Sequence, residues 1–524
     1  MGPDVGRGGR TTPQDLRLAD LLVAISVASD LGMGYEPEKA IRSCLLATRL
    51  ARELDLQEEE VRDVYLTTLL RHLGCTATAH EEARIFGDDL ASRPAAERAD
   101  FGNTGEVLRL TLATGRGAGL NRPRYLARAL RAGKTGTERI FRAICEVASH
   151  LAERLGLGDG VKQALYQVLE RWDGKGSPEG LSGDDIALPA RIAELATQAV
   201  IFERAGGPDA AVDVVSRRAG GWFDPAIAEA FRRLGPGLLS EIAAGDPWAA
   251  VLEAEPEPVG VIGPADLDRV AGTLADMVDL KSVYTLGHSS EVAEIAEAAA
   301  RSLGLPGREI EDLRRAALLH DLGRVGVSSV IWEKPGSLTG AEWESVRLHP
   351  YNTERILVRS SVLAPLVRIA GMHHERQDGG GYHHGASGAG IPTPARILAA
   401  ADAYQAMTQE RPHRGARSGE EAAEILGAEA SAGKLDPECA RAVVEAAGHA
   451  EVRVRTSWPA GLSDREVEVL RLLARGLSNS EIAKRLFIAS RTAEHHVQHV
   501  YAKIGTSTRA SAAVFAMENG LLRQ

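Results

Sequence analysis

Leu318-Leu319-His320-Asp321-Leu322-Gly323 and, 249 positions earlier, Leu69-Leu70-Arg71-His72-Leu73-Gly74 are two versions of one segment, and that decides how this chain is read. Moving outward, the offset continues to pair like with like. Ala300-Arg301, Leu303 and Leu305 answer to Ala51-Arg52, Leu54 and Leu56, and Asp279-Leu280 and Tyr284 answer to Asp30-Leu31 and Tyr35. Asn352-Thr353 pairs with Asn103-Thr104, so the offset is read as ungapped from about residue 21 to 108. Further on it becomes 205, with Asp378-Gly379, Gly381 and Pro394-Ala395-Arg396-Ile397 answering to Asp173-Gly174, Gly176 and Pro189-Ala190-Arg191-Ile192. The change implies 44 extra residues in the first copy between positions 108 and 168. Val292, Ile295, Ala296, Ala299 and Leu303 recur at helical spacing, as do Leu313, Ala316, Ala317 and His320. Each set makes one buried stripe of a helix. The expectation is an all-α chain with two tandem copies of one helical domain.

The copies differ in their chemistry. His288, His320, Asp321, His349, His373, His374 and Asp402 in the second copy combine imidazole with carboxylate, a donor set suited to iron, manganese or zinc. A carboxylate can bridge two ions, and two ions a few Å apart can activate water and neutralise a phosphodiester. Seven of the 15 histidines fall between 288 and 384, and histidine is costly to concentrate in a core without partners. In the first copy the same alignment replaces these seven by Lys39, Arg71, His72, Asp100, Val168, Leu169 and Thr197. The other histidines read as bland: His72, His80 and His150 as core or surface residues, His383, His384 and His413 as loop residues.

The motifs of residues 263–415 resemble the HD-GYP branch of the HD phosphohydrolase superfamily. They are Gly287-His-Ser289, His320-Asp-Leu-Gly323, Lys334-Pro-Gly-Ser-Leu-Thr339, His349-Pro350, His373-His-Glu-Arg-Gln-Asp-Gly-Gly-Gly-Tyr382, Ile391-Pro392 and Ala401-Asp402. The resemblance implies an all-helical domain carrying two divalent transition-metal ions, iron or manganese first and zinc as an alternative. It also implies hydrolysis of a cyclic dinucleotide such as cyclic di-GMP. Carried over residue by residue, the five histidines and Asp402 would be terminal ligands and Asp321 the bridge. Arg324, where the family usually has Lys, would hold a phosphate oxygen with a different hydrogen-bond geometry. Gly381-Tyr382-His383 departs from the family's G-Y-P, and Tyr284 stands where some members place a third-metal carboxylate, so two ions are expected.

Composition bounds the rest. The 524 residues suffice for about three domains. The net charge of −11 is not that of a protein that coats nucleic acid with its whole surface. From Leu462 onward nine Lys/Arg oppose six Asp/Glu, so this last module is mildly basic. Cys44, Cys75, Cys145 and Cys439 form no C-x-x-C pair, which fits a reducing cytoplasm. No apolar run approaches the ~18 residues of a membrane span. Residues 1–14 read as a disordered tail, 15–235 as the first domain, 236–262 as a linker rich in Gly, Pro and acidic residues, 263–450 as the metal domain and 451–461 as a second linker.

Residues 462–524 contain two S-x-x-E capping boxes, Ser463/Glu466 and Ser478/Glu481, and Gly476 as a helix stop. Ala493, Val497, Val500 and Ile504 form an inward stripe, leaving a polar face suited to a major groove. Leu-Ser-Asp-Arg-Glu-Val-Glu-Val-Leu (462–470), Glu481-Ile-Ala483, Arg491-Thr492 and Lys503-Ile-Gly505 resemble the LuxR-type helix-turn-helix, a four-helix DNA-binding domain. By that likeness Glu494, His495 and Gln498 face bases, while Lys484, Arg491, Thr492, Lys503 and Arg509 contact phosphates of double-stranded DNA, typically as a homodimer. The reading is a cytoplasmic regulator whose metal domain hydrolyses a nucleotide. Its alternatives are a non-hydrolysing metal and nucleotide sensor, or lobes that serve only as a dimerisation scaffold.

Overall fold

The computed structural model describes residues 16–117, 122–448 and 458–522. The proposed tail at 1–14 and residues 451–457 of the second linker lie outside them. Among the described residues the chain is helical except for Leu16–Arg17 and Val261–Ile262, which pair antiparallel.

The duplication appears element by element. Helices Lys39–Glu53 and Glu58–Leu70 of the first lobe match His288–Ser302 and Gly307–Leu319 of the second, residue for residue, at the offset of 249. The short turns Gly183–Asp185 and Gly388–Gly390 match at 205, and the long helices that follow begin at Leu188 and Thr393. Sequence periodicity located these elements because each buries an alanine- and leucine-rich stripe; Leu46, Leu50, Ala296 and Ala300 are all fully buried.

The structure corrects where the offset changes. A Cβ on Gly323 would stand 1.9 Å from the His349 carbonyl oxygen, so the turn after Asp321 lies directly on helix His349–Leu357. In the first lobe a Cβ on Gly74 would stand 2.1 Å from the carbonyl oxygen of Ile144. His349 therefore corresponds to Ile144, not to Asp100, and the Asn352-Thr353 match to Asn103-Thr104 is coincidental. The extra residues of the first lobe fall between Gly74 and Ile144, a stretch that holds helices Ala79–Phe86, Asp89–Arg98 and Thr104–Gly117 where the second lobe has Ser329–Trp332 and Gly340–Arg347.

The linker reading of 236–262 is also corrected. Helix Pro225–Ala244 runs through Pro236, helix Pro247–Glu253 follows, and Leu239, Ile242 and Val251 are buried in the first lobe. Gly, Pro and Glu are frequent there, yet the apolar residues keep a helical spacing. Pro225 and Pro247 occupy first helical positions, where a missing N–H costs nothing.

The lobes are locked by reciprocal packing. The first helix of each, Leu18–Gly32 and Pro264–Asp279, packs on the turn after the duplicated segment in the other lobe, 322–326 and 75–78. Between them Asp89 accepts from Lys281 Nζ at 2.9 Å, Ser328 Oγ at 2.8 Å and the Ser329 N–H at 2.8 Å, wholly buried. The C-terminal module rests on helix Arg122–Arg154, a helix interrupted at Gly133. All four cysteines are free and buried.

Candidate metal centre

Five separate pieces of chain bring the seven predicted ligands together. His288 opens helix His288–Ser302 behind Gly287, whose φ of 76° lets the chain enter sharply. His320 and Asp321 follow the end of helix Gly307–Leu319, and His349 begins helix His349–Leu357. His373 and His374 follow helix Val367–Ala370, and Asp402 projects from helix Thr393–Thr408. All are buried except His374, which is part-exposed to a cavity.

Hydrogen bonds set the tautomers. Nδ1 of His320, His349 and His373 lies 2.6–2.7 Å from the carbonyl oxygens of Ala317, Val346 and Ala370. A carbonyl only accepts, so each Nδ1 carries the hydrogen and each Nε2 presents a lone pair. His288 Nδ1 donates to the side-chain oxygen of Gln405, whose amide donates in turn to Glu291 at 2.8 Å. Gln405 was not foreseen; it lies three residues after Asp402 on the same helix face, and such backing of ligand imidazoles is the rule at metal sites.

The lone pairs surround Asp321 in two groups. Asp321 Oδ2 lies 3.6 Å from both His288 Nε2 and His320 Nε2, and Asp402 Oδ1 is 3.2 Å from His288 Nε2. Asp321 Oδ1 faces His349 Nε2 at 3.3 Å and His373 Nε2 at 3.8 Å, with His374 beside them. His288 Nε2 and His320 Nε2 are buried with no hydrogen-bond partner. His349 Nε2 and His373 Nε2, both lone-pair atoms, face each other at 3.2 Å. Burial, then the neighbouring His374, holds His373 well below the usual imidazole range, so a proton does not relieve that contact. Burial, then His349, likewise brings His374 down to about 3. Neutral imidazoles converging with two carboxylates fit a pair of divalent cations, one on each side of Asp321.

A cavity of about 510 Å³ opens over Asp321, His349, His374 and Asp402. Arg324 lines it, with Nη1 on Asp321 Oδ2 at 2.8 Å and its guanidinium 4.0 Å over the Trp332 ring. Burial raises the cost of ionising Asp321, but Arg324 first among its neighbours keeps the carboxyl well below the usual range. Tyr382 of the Gly381-Tyr382-His383 motif lines the same cavity, as do Arg411 and Trp343, which no sequence motif had marked. Burial, then Arg324, lowers Arg411 to about 10, which leaves it charged at neutral pH.

The first lobe fills the equivalent place with its own cations. Lys39 Nζ and Arg71 Nη1 lie 3.3 and 3.1 Å from the Glu97 carboxylate, Arg71 also pairs with Glu194, and His72 bonds Glu97. Glu97 comes from helix Asp89–Arg98.

In the C-terminal module both predicted capping boxes form; Ser463 N–H donates to Glu466 at 2.8 Å and Glu466 N–H to Ser463 Oγ at 3.3 Å. Arg491, Thr492, Glu494, His495 and Gln498 are exposed on helix Ser490–Ile504, and Lys484 is exposed on Asn479–Arg485. Lys503 and Arg509, expected at phosphates, make contacts within the module. Lys503 Nζ bonds Glu466 at 2.6 Å and the Gly461 carbonyl at 2.9 Å; Arg509 donates to the Leu477 carbonyl and to Asn479 Oδ1.

Among the described residues no helix is long and apolar enough to cross a membrane. Residues 114–227 and 272–439 match the HD domain, one stretch in each lobe, and residues 460–516 match the bacterial regulatory proteins of the luxR family. The chain is 33% identical over 434 residues to 3'3'-cGAMP-specific phosphodiesterase 3 of Vibrio cholerae, covering 82% of this chain and 94% of that protein. It is 39% identical over 188 residues to a cyclic di-GMP phosphodiesterase of Pseudomonas aeruginosa, 35% of this chain and 45% of the other. The crystal structure of a cyclic GMP-AMP specific phosphodiesterase from V. cholerae superposes with a TM-score of 0.58 at 28% identity, covering 83% of this chain and 99% of that one. The chain therefore belongs to the HD-domain family, is homologous to its cyclic dinucleotide phosphodiesterases, and ends in a luxR-family domain.

Proposed function

We propose that this chain is a cytoplasmic, homodimeric DNA-binding regulator whose second lobe hydrolyses a cyclic dinucleotide, using two divalent transition-metal ions, iron or manganese first and zinc as an alternative. The observation that carries the reading is Asp321, each of whose carboxylate oxygens faces a separate pair of imidazole Nε2 atoms. His288, His320 and Asp402 would hold one ion, His349, His373 and His374 the other, with Asp321 between. When bound, such ions lower the pKa of water and offset phosphodiester charge.

The chain's own groups supply position and charge. Arg324, steadied by Trp332 and Asp321, and Arg411 place two guanidinium groups at the cavity for phosphate oxygens. Trp343 and Tyr382 stand on its wall with ring centroids 6.4 Å apart, and their faces suit stacking on purine rings. Gln405 and the carbonyls of Ala317, Val346 and Ala370 fix the tautomer and the aim of four imidazoles, so that each presents its Nε2 to the site. Water adds across one phosphodiester of the ring: its oxygen bonds to phosphorus, a P–O bond to ribose breaks, and the released ribose oxygen takes a proton. The product is a linear dinucleotide. On DNA, exposed Glu494, His495 and Gln498 would meet bases and Lys484, Arg491 and Thr492 phosphates.

The test is hydrolysis of a panel of cyclic dinucleotides by the full chain loaded with Mn²⁺ or Fe²⁺. Turnover is expected, falling at least about a thousand-fold in Asp321→Ala. No product from the metal-loaded wild type would overturn it. The hold of Arg324 on Asp321 favours one second reading, a sensor that binds nucleotide without cleaving it; ligand-dependent DNA affinity with no product would be its signature.

A further inference from the structure

Outside the catalytic cavity, Glu354, His383 and His384 form a second convergent group. Glu354 Oε2 lies 3.2 Å from His383 Nε2, and Glu354 Oε1 lies 2.6 Å from His384 Nε2. The three candidate donor atoms all fall within 4.8 Å of one another, and none of these residues lines the cavity. Two observations point to a built arrangement. The Glu354 carboxylate rests on bare backbone: a Cβ on Gly371 would stand 2.0 Å from its Oε1, so this glycine makes the recess that receives it. The loop presenting the imidazoles is also held from beneath, where Glu375 accepts the His384 N–H at 3.1 Å and the Ala386 N–H at 3.0 Å.

The other lobe offers a comparison within one molecule. Glu170, the counterpart of Glu375, accepts N–H groups of Glu179 at 2.6 Å and Leu181 at 3.1 Å, so the loop is the same. Its residues at the two histidine positions are Pro178 and Glu179, which cannot supply imidazole. The histidines are thus a feature of the metal-bearing lobe alone, added to a loop whose framework does not need them.

We propose that Glu354, His383 and His384 form a further metal site, separate from the catalytic pair, that takes one zinc-class divalent ion. Two imidazoles and one carboxylate are a recognised three-ligand set for zinc, which leaves a fourth position to water. The ion would fasten the loop to helix His349–Leu357. That loop begins with Tyr382, whose ring lies 4.4 Å from His374 and borders the catalytic cavity, so occupancy would fix one wall of the substrate pocket.

The test is the zinc content of the purified full chain after equilibration with Zn²⁺ alone, for wild type, Glu354→Gln and the double variant His383→Ala/His384→Ala. Each variant should hold one zinc ion fewer per chain than wild type, with circular dichroism confirming the same helix content. Equal zinc in wild type and both variants would overturn the proposal. Because the readout is a difference of one ion, it stands whether or not the catalytic centre fills, and whether or not the enzyme proves active.

Discussion

At the scale of single residues, the two lobes solve one electrostatic problem in opposite ways. The second lobe gathers lone pairs and carboxylates and leaves two buried Nε2 atoms without a protein partner. The first keeps the geometry but inserts Lys39 and Arg71, balanced by Glu97 and Glu194. Removing one member of a buried charged group leaves the rest uncompensated, at about 3–5 kcal/mol. Glu97→Gln is therefore expected to lower unfolding free energy by that order in denaturant titration, and a loss below about 1 kcal/mol would contradict the role given to Glu97. The seven candidate ligands were legible as a set because metal chemistry admits few residue types. Glu97 and Gln405 were not, because a glutamate 26 residues from Arg71 and a glutamine three residues after Asp402 carry no motif until the fold shows what they touch.

At the scale of elements, backbone contact places the site. The turn after Asp321 lies against the first turn of helix His349–Leu357, which needs the bare Gly323, and Thr353 Oγ joins them, accepting the Gly323 N–H at 2.9 Å and donating to the His320 carbonyl at 2.8 Å. Neither the His349 carbonyl nor the turn can yield cheaply to a new Cβ. Gly323→Ala is expected to cost about 2–3 kcal/mol of stability and to weaken metal retention, since His320, Asp321 and His349 separate together. Unchanged melting and unchanged metal content would contradict that. Periodicity located the paired helices correctly. It failed at 236–262, where Pro247 at a helix start and Pro236 within Pro225–Ala244 looked like loop. It failed also in pairing His349 with Asp100, because an ungapped match cannot see the insertion between Gly74 and Ile144.

At the scale of the whole molecule, the parts meet through pairs too distant in sequence for any pattern to announce. Asp89 and Lys281 join the lobes in a buried contact. Arg154 touches Asp276 of the second lobe at 2.5 Å and Glu518 of the C-terminal module at 3.0 Å, while Glu146 accepts from the hydroxyls of Ser507, Thr508 and Ser511. Contacts from both lobes thus meet where the luxR-family module is seated. All of this presupposes that only the second lobe carries the metal pair. Anomalous diffraction from crystals of the full chain grown with Mn²⁺ tests that most directly. The account predicts two peaks flanking the Asp321 carboxylate and none among Lys39, Arg71 and Glu97. No paired peaks at Asp321, or a metal in the first lobe, would contradict it.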